Sequence, residues 1–164
     1  MSPLTDLRVA VITVSDRSSA GARDDATGPV LADRLAEAGA SVTRSLVPDA
    51  VVDIRHAISG AIAAGARVVV TTGGTGIGPR DVTPEATEPL LLRPLPGIPE
   101  LLRQRDAHLS PSVALSRGIA GVTAGTPGAL IINLPGSVRA VESALLVLPD
   151  LLAHAVAQLD GEDH

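Results

Sequence analysis

The chain has 164 residues, a formal net charge of −5 and a pI near 5.2, and it contains no Cys, Phe, Trp or Tyr. All 13 of its basic residues are Arg. A lysine-bearing phosphate loop, a Schiff base and every thiol nucleophile, disulfide or cysteine-ligated metal are therefore excluded, while the acidic balance and missing rings argue against a nucleic-acid partner.

Met1 to Asp6 carries no basic n-region and no long apolar stretch, so a signal peptide is not expected. No apolar run approaches the roughly 20 residues that span a bilayer, so no membrane partner is expected. Missing thiols are compatible with a cytoplasmic location. Leu7 to Val14 (LRVAVITV) is apolar at both alternating sets of positions, the pattern of a strand covered on both faces. Val30, Leu31, Leu35 and Ala38 then share one helical stripe, which Gly39 ends. Ser41 to Val47 reads as a second strand. Asp49 through Ala64 carries Ile54, Ile58 and Ile62 at four-residue spacing and stops at Gly65, an amphipathic helix.

Arg67 to Thr72 (RVVVTT) is a short β-branched run suited to a central strand. A glycine-rich loop follows directly. Thr83-Pro84-Glu85 predicts a helix start with Thr83 as cap and Pro84 in the first turn. Pro89, Pro94, Pro96 and Pro99 punctuate a stretch read as helix, turn, and a second helix over Glu100 to Leu109. Residues 111–128 read as one helical turn and a short strand, and Ala129 to Asn133 (ALIIN) as a buried strand. Val138, Val141, Leu145 and Leu148 form a helix that Pro149 restarts, and Gly161 to His164 is expected to be a loose tail. Strands alternating with helices predict one α/β domain over residues 1–164: three layers, with a mostly parallel central sheet flanked by helices.

In such sheets ligands bind beyond the carboxyl ends of the strands. The first strand leaves into Ser15-Asp16-Arg17, the second into Pro48-Asp49, the third into Thr72-Gly73-Gly74-Thr75-Gly76 and on to Arg80-Asp81, and the late one into Asn133-Leu134-Pro135-Gly136-Ser137. Four glycines in six residues after a buried strand suit backbone N–H groups turned toward an anion. Thr72 and Thr75 add hydroxyls, and Arg80 can complement phosphate charge. Neither G-x-G-x-x-G nor a Walker loop is matched, so the residues indicate a phosphate site of unassigned type. Asp81 reads either as a loop ion pair with Arg80 or as a Mg²⁺ ligand beside bound phosphate. Asp49 reads equally as a helix cap or a site residue, and Asp16 as a turn or site residue. Two carboxylates beside a phosphate loop call for a cation between them, which points to metal-assisted phosphoryl or nucleotidyl transfer. His56, His108, His154 and His164 are scattered without ligand spacing and read as surface residues. Asp24-Asp25 reads as a solvated loop rather than a catalytic pair, although its position after the first strand would let it fold over the site.

Thr71-Thr72-Gly73-Gly74-Thr75-Gly76 with Arg80-Asp81-Val82-Thr83-Pro84-Glu85-Ala86 resembles the molybdenum-cofactor biosynthesis Mog/MoaB family, which includes the G domain of gephyrin. Ser15-Asp16-Arg17, Leu46-Val47-Pro48-Asp49 and Asn133-Leu134-Pro135-Gly136-Ser137 agree in order, and Leu115-Ser116-Arg117 and Pro96-Gly97 also fit. The resemblance spans about residues 7–159. It implies an α/β fold, a homotrimer, and transfer of AMP from Mg-ATP to the terminal phosphate of molybdopterin with release of pyrophosphate. The product would pass to a molybdate-inserting partner enzyme. It further implies Asp49 and Asp81 as catalytic, metal-holding carboxylates and Gly73 to Gly76 as the phosphate-contacting loop. Asn133, Pro135, Gly136 and Ser137 would form a ligand-facing turn, with Ser15, Asp16, Thr72, Arg80 and Thr83 completing the binding site. The chain is as short as the MoaB branch, in which members without the Arg-Asp pair bind without catalysing. Arg80-Asp81 is intact, which favours the enzyme over a non-catalytic molybdopterin carrier.

Overall fold

The computed structural model describes residues 2–162, arranged about one six-stranded sheet. Its strands are β1 (Arg8–Val14), β2 (Ser41–Val47), β3 (Val68–Thr72), β4 (Leu91–Pro94), β5 (Ala120–Thr123) and β6 (Leu130–Leu134), in the order β2-β1-β3-β6-β5-β4. The pairings β1–β2, β1–β3 and β3–β6 are parallel, whereas β5 runs antiparallel to both β6 and β4. The mostly parallel, three-layered α/β fold expected from the sequence is thus present.

The seven helices are α1 (Asp16–Ser19), α2 (Thr27–Glu37), α3 (Val51–Ala63), α4 (Thr83–Thr87), α5 (Gly97–Asp106), α6 (Val138–Leu145) and α7 (Leu148–Leu159), with 3₁₀ turns over residues 88–90 and 111–115. The doubly apolar strands make the layering. Val9, Val11, Val68, Val70, Leu130 and Ile132 pack on one face with Leu31 and Leu35 of α2, Val141 of α6 and Leu152 of α7. Their alternate neighbours Ala10, Ile12, Val14, Val69 and Ile131 pack on the other with Ile54 and Ile58 of α3 and Ala86 of α4. Period-two alternation inside a continuous apolar run therefore loads both faces at once.

Two expectations need correction. The proline-punctuated stretch holds β4, which no helix-turn-helix reading contains: its pairing with β5 shifts register between Leu91 and Arg93, and it lies at the sheet edge, where Pro94 is tolerated. The helix expected over residues 100–109 begins earlier, at Gly97, and ends at Asp106. At the C-terminus α6 and α7 meet at 58°, and Pro149 occupies the first turn of α7. Asp160 just beyond α7 is paired with Arg67 at 2.8 Å, while Asp163 and His164 of the expected tail lie outside the described residues. Among the described residues no single helix is long and apolar enough to cross a membrane.

Candidate active site at the carboxyl ends of the parallel strands

The chain runs from β1 through α2 to β2 at one edge, then through α3 back to β3 on the other side of β1. The connections leave β1 and β3 on opposite faces of the sheet, and a crevice opens between their carboxyl ends. It is a cleft of about 560 Å³ lined by, among others, Ser15, Asp25, Asp49, Gly73, Gly74 and Asp81.

The loop after β3 forms its floor. Gly73 and Gly74 have φ of +102° and +68°, a conformation L side chains rarely take, and a Cβ on Gly73 would run into the Val14 carbonyl oxygen. Six of the nine carbonyls from Gly73 to Asp81 are engaged. Gly73 O accepts from Thr83 Oγ1 at 2.9 Å and Gly74 O from the Thr83 N–H at 3.1 Å. Thr75 O accepts from the Arg117 N–H at 2.8 Å, and Gly78 O from the Asp81 N–H at 3.0 Å. Gly76 O and Asp81 O accept from Arg117 Nε and Nη2, both at 2.7 Å. The N–H groups of Gly74, Thr75, Gly76 and Ile77, by contrast, have no hydrogen-bond partner among the described residues. Four consecutive free donors with carbonyls drawn away is the arrangement that receives an anion.

Two carboxylates face this loop from different elements. Asp49, after β2, exchanges hydrogen bonds with Asp16, after β1: the Asp16 N–H donates to Asp49 Oδ2 at 2.8 Å and the Asp49 N–H to Asp16 Oδ1 at 2.9 Å. Asp81 accepts from the Gly78 N–H on Oδ2 at 2.9 Å. Each therefore keeps its Oδ1 free of hydrogen bonds among the described residues. Burial raises the Asp49 carboxyl above its ordinary value, and the charges of Asp16 and Asp81 add to that, against the opposing Asp16 N–H and Arg80. Asp16 is held below its ordinary value, first by the Asp49 N–H and then by Arg80.

Arg80 pairs with Asp16 (Nε–Oδ2 2.9 Å, Nη2–Oδ2 2.8 Å), so the alternative of an ion pair with its neighbour Asp81 is not what forms. Thr83 is not the cap of α4: Val82 is, and the buried Thr83 hydroxyl instead holds Gly73. Ser15 caps α1, accepting from the Ser18 N–H at 3.1 Å. Thr72 is buried, donating to Pro135 O at 2.9 Å and lying 3.1 Å from Thr27 Oγ1. Asn133 is also buried. Its amide bonds Thr71 and Thr87 at 2.9 and 3.1 Å and its Oδ1 accepts from the Ile119 N–H at 3.2 Å, so its side chain ties β6 to β3 and α4. Pro135, Gly136 and Ser137 line a second cleft of about 360 Å³ that adjoins the first through Gly74, Asp81 and Gly136. Ser137 also caps α6.

Two residues make contacts at the site that their sequence surroundings do not show, although Arg117 lies in a block that fits the family resemblance. Asp25 is not a solvated loop residue: it accepts from Thr13 Oγ1 at 2.8 Å and from the Gly28 N–H in the first turn of α2 at 3.0 Å, and it lines the cleft. Its position three residues before a helical N–H was the available signal. Arg117 grips the loop from behind, and nothing local announces a contact 36 to 41 residues away. Among the described residues no three His, Cys, Asp or Glu side chains converge as a metal cage. Two carboxylates with a free oxygen each do fit Mg²⁺, which takes one or two protein carboxylates and fills its octahedron with water and phosphate oxygens.

Known proteins resemble this chain over most of its length. Residues 10–154 match the family described as "probable molybdopterin binding domain". A "molybdenum cofactor biosynthesis bifunctional protein" of Synechococcus elongatus is 43% identical over 162 residues, covering 98% of this chain and 50% of that protein. A "molybdopterin adenylyltransferase" of Pyrococcus furiosus is 37% identical over 149 residues, covering 90% of this chain and 88% of that one. The crystal structure of the "tungsten cofactor synthesizing protein MoaB" of Pyrococcus furiosus superposes with a TM-score of 0.88 at 34% identity, over 94% of this chain and 98% of that one. The chain spans about half the length of the bifunctional relatives it matches.

Proposed function

The chain belongs to the molybdopterin-binding domain family, and we propose that it is a molybdopterin adenylyltransferase of molybdenum-cofactor biosynthesis. In this reading an oxygen of the terminal phosphate of molybdopterin attacks the α-phosphorus of ATP. The bond to the β-phosphate oxygen breaks, adenylated molybdopterin forms and pyrophosphate leaves. The observation that carries the reading is the run of four unpaired N–H groups from Gly74 to Ile77, beside two carboxylates that each keep a free oxygen.

Phosphoryl transfer of this kind asks a protein mainly to position the reactants and stabilise charge. The loop amides would receive a phosphate, and Arg80, about two-thirds exposed and held only by Asp16, can add positive charge at the rim. Asp49 and Asp81 would hold the Mg²⁺ that accompanies ATP; bound there, the metal would neutralise phosphate charge and polarise the transferred group. Asp49, raised first by burial, also feels the charges of Asp16 and Asp81, which a cation there would offset. Ser15, Asp16 and the turn of Pro135, Gly136 and Ser137 would line the bound substrates. Thr72, Thr83 and Asn133, with their side chains engaged internally, would act by fixing the loop and its neighbours. With no aromatic ring in the chain, pterin and adenine would be recognised by aliphatic walls and hydrogen bonds. A homotrimer, a cytoplasmic setting and delivery to a molybdate-inserting enzyme complete the reading.

The test is incubation with molybdopterin, ATP and Mg²⁺, followed by assay of adenylated molybdopterin and pyrophosphate. Formation of both, dependent on ATP and Mg²⁺, is expected. Tight molybdopterin binding without pyrophosphate release would identify a carrier instead, and ATP-independent hydrolysis of a dinucleotide would identify a hydrolase.

A further inference from the structure

The engaged carbonyls and free amides of the loop are the two sides of one device, and three of the six engaged carbonyls converge on one residue. Arg117 lies between the second 3₁₀ turn and β5, outside the cleft of about 560 Å³. Its backbone N–H takes Thr75 O, its Nε takes Gly76 O and its Nη2 takes Asp81 O. Its remaining terminal nitrogen, Nη1, pairs with Glu85 Oε1 in the first turn of α4. One planar fork thus reaches two loop carbonyls and a carboxylate in fixed relative directions, which only a guanidinium can do.

Drawing peptide carbonyls to one side turns the N–H groups of those peptides to the other. The loop has little stiffness of its own, since four of its residues from Gly73 to Gly78 are glycines. Gly76 also lies close against the Asp81 carboxylate: a Cβ there would lie 2.8 Å from Asp81 Oδ2. Asp81 itself is held at both ends, its carboxylate by the Gly78 N–H and its carbonyl by Arg117.

We infer that Arg117, oriented by Glu85, is a positioning residue that fixes the Thr75, Gly76 and Asp81 carbonyls, so that the Gly76 and Ile77 amides face away from it and Asp81 is held at the cleft that Arg117 itself does not line. This rests on the adenylyltransferase reading for its kinetic consequence, but not for its structural one. Its role differs from that of an ordinary surface ion pair, which contributes little and orders nothing beyond itself.

The experiment pairs amide hydrogen exchange with kinetics on the full chain. Arg117→Ala is expected to speed exchange of the hydrogen-bonded amides of Gly78, Asp81 and Thr83 by tenfold or more, with α2 and α3 unchanged. It is expected to lower kcat about 100-fold while KM for molybdopterin moves less than threefold. Arg117→Lys, whose single ammonium cannot serve all three acceptors, should fall between, and Glu85→Gln should move both readouts in the same direction by about threefold. Added guanidinium ion should partly restore the exchange protection of Arg117→Ala. Unchanged exchange in the loop overturns the inference. So does equal acceleration throughout the chain, which marks simple destabilisation, and so does a rise in KM that accounts for the whole loss. If the parent chain shows no adenylyl transfer, the preceding reading fails, while the exchange and guanidinium arms still decide this one.

Discussion

The two sides of the loop after β3 are bonded in opposite ways. On the side toward α4 and β5, carbonyls and hydroxyls are saturated by Thr83, Arg117 and the Asn133 network. On the other side, the N–H groups of Gly74 to Ile77 and one oxygen each of Asp49 and Asp81 have no hydrogen-bond partner among the described residues; Gly74, Asp49 and Asp81 line the first cleft and Thr75 and Gly76 the one beside it. A folded chain rarely leaves a buried polar group unmatched, and of the four residues Thr75 is buried, Gly74 and Gly76 are half-buried and Ile77 is exposed. The contrast therefore separates residues that build the site from residues that meet a ligand, and it does so for neighbours only one or two positions apart.

The largest expected effect tests the open side. Asp81→Asn keeps an acceptor for the Gly78 N–H but removes the charge, so the loop should stay folded while turnover falls about 10²–10³-fold. Molybdopterin binding should be retained, as measured by titration beside the kinetic assay. Turnover within threefold of the parent would remove Asp81 from the chemistry. Next comes the junction of the two sides. Gly73→Ala puts a methyl group against the Val14 carbonyl in a left-handed backbone conformation, so urea denaturation should report a loss of about 2–3 kcal/mol. An unchanged midpoint would mean that the loop has other conformations open to it.

The saturated side makes a milder prediction. Asn133→Ala strands the Thr71 hydroxyl and the Ile119 N–H and leaves the Thr87 hydroxyl only its bond to Thr83 O, a loss of about 1–3 kcal/mol by the cost of buried unmade hydrogen bonds. Substrate affinity should move little if the side chain only builds. A large loss of affinity with normal stability would transfer Asn133 to the open side.

The open side was the more legible one in the sequence. Asp49, Asp81 and the glycine run all sit at strand exits, and strands buried on both faces announce themselves by apolar runs such as Val68 to Val70. The saturated side depends on contacts distant along the chain, and no local pattern encodes those. Arg80 illustrates the limit: adjacency suggests Asp81 as its partner, but the loop turns the two side chains apart and Asp16, 64 residues away, takes the guanidinium. Thr83 has the residue type of a helix cap and the position of one, yet the glycine carbonyl beside it offers a buried hydroxyl a better acceptor. The edge strand β4 was hidden because proline suppresses the strand signal, although an edge needs only half of its backbone bonds.

The smallest effect separates the two linked carboxylates at the cleft, which differ only in surroundings. Asp49 has its pKa raised in the folded state, so the native chain binds a proton at a pH where the unfolded chain does not. Its charge costs stability above the folded pKa, and that cost is relieved as pH falls from there toward the ordinary value of 3.8. Asp16 has the opposite sign: its stabilisation is present above 3.8 and is lost as pH falls through its lowered folded pKa. Urea midpoints between pH 7 and pH 3 should therefore show the parent gaining on Asp49→Asn as pH falls toward 4, and losing ground to Asp16→Asn only at the acid end. Saturating Mg²⁺ with ATP should abolish the first trend, because a bound cation removes the reason for Asp49 to hold a proton. A parent and Asp49→Asn that run parallel across the range would show that the cleft does not strain this carboxylate, and the argument for a cation there would then rest on Asp81 and the free amides alone.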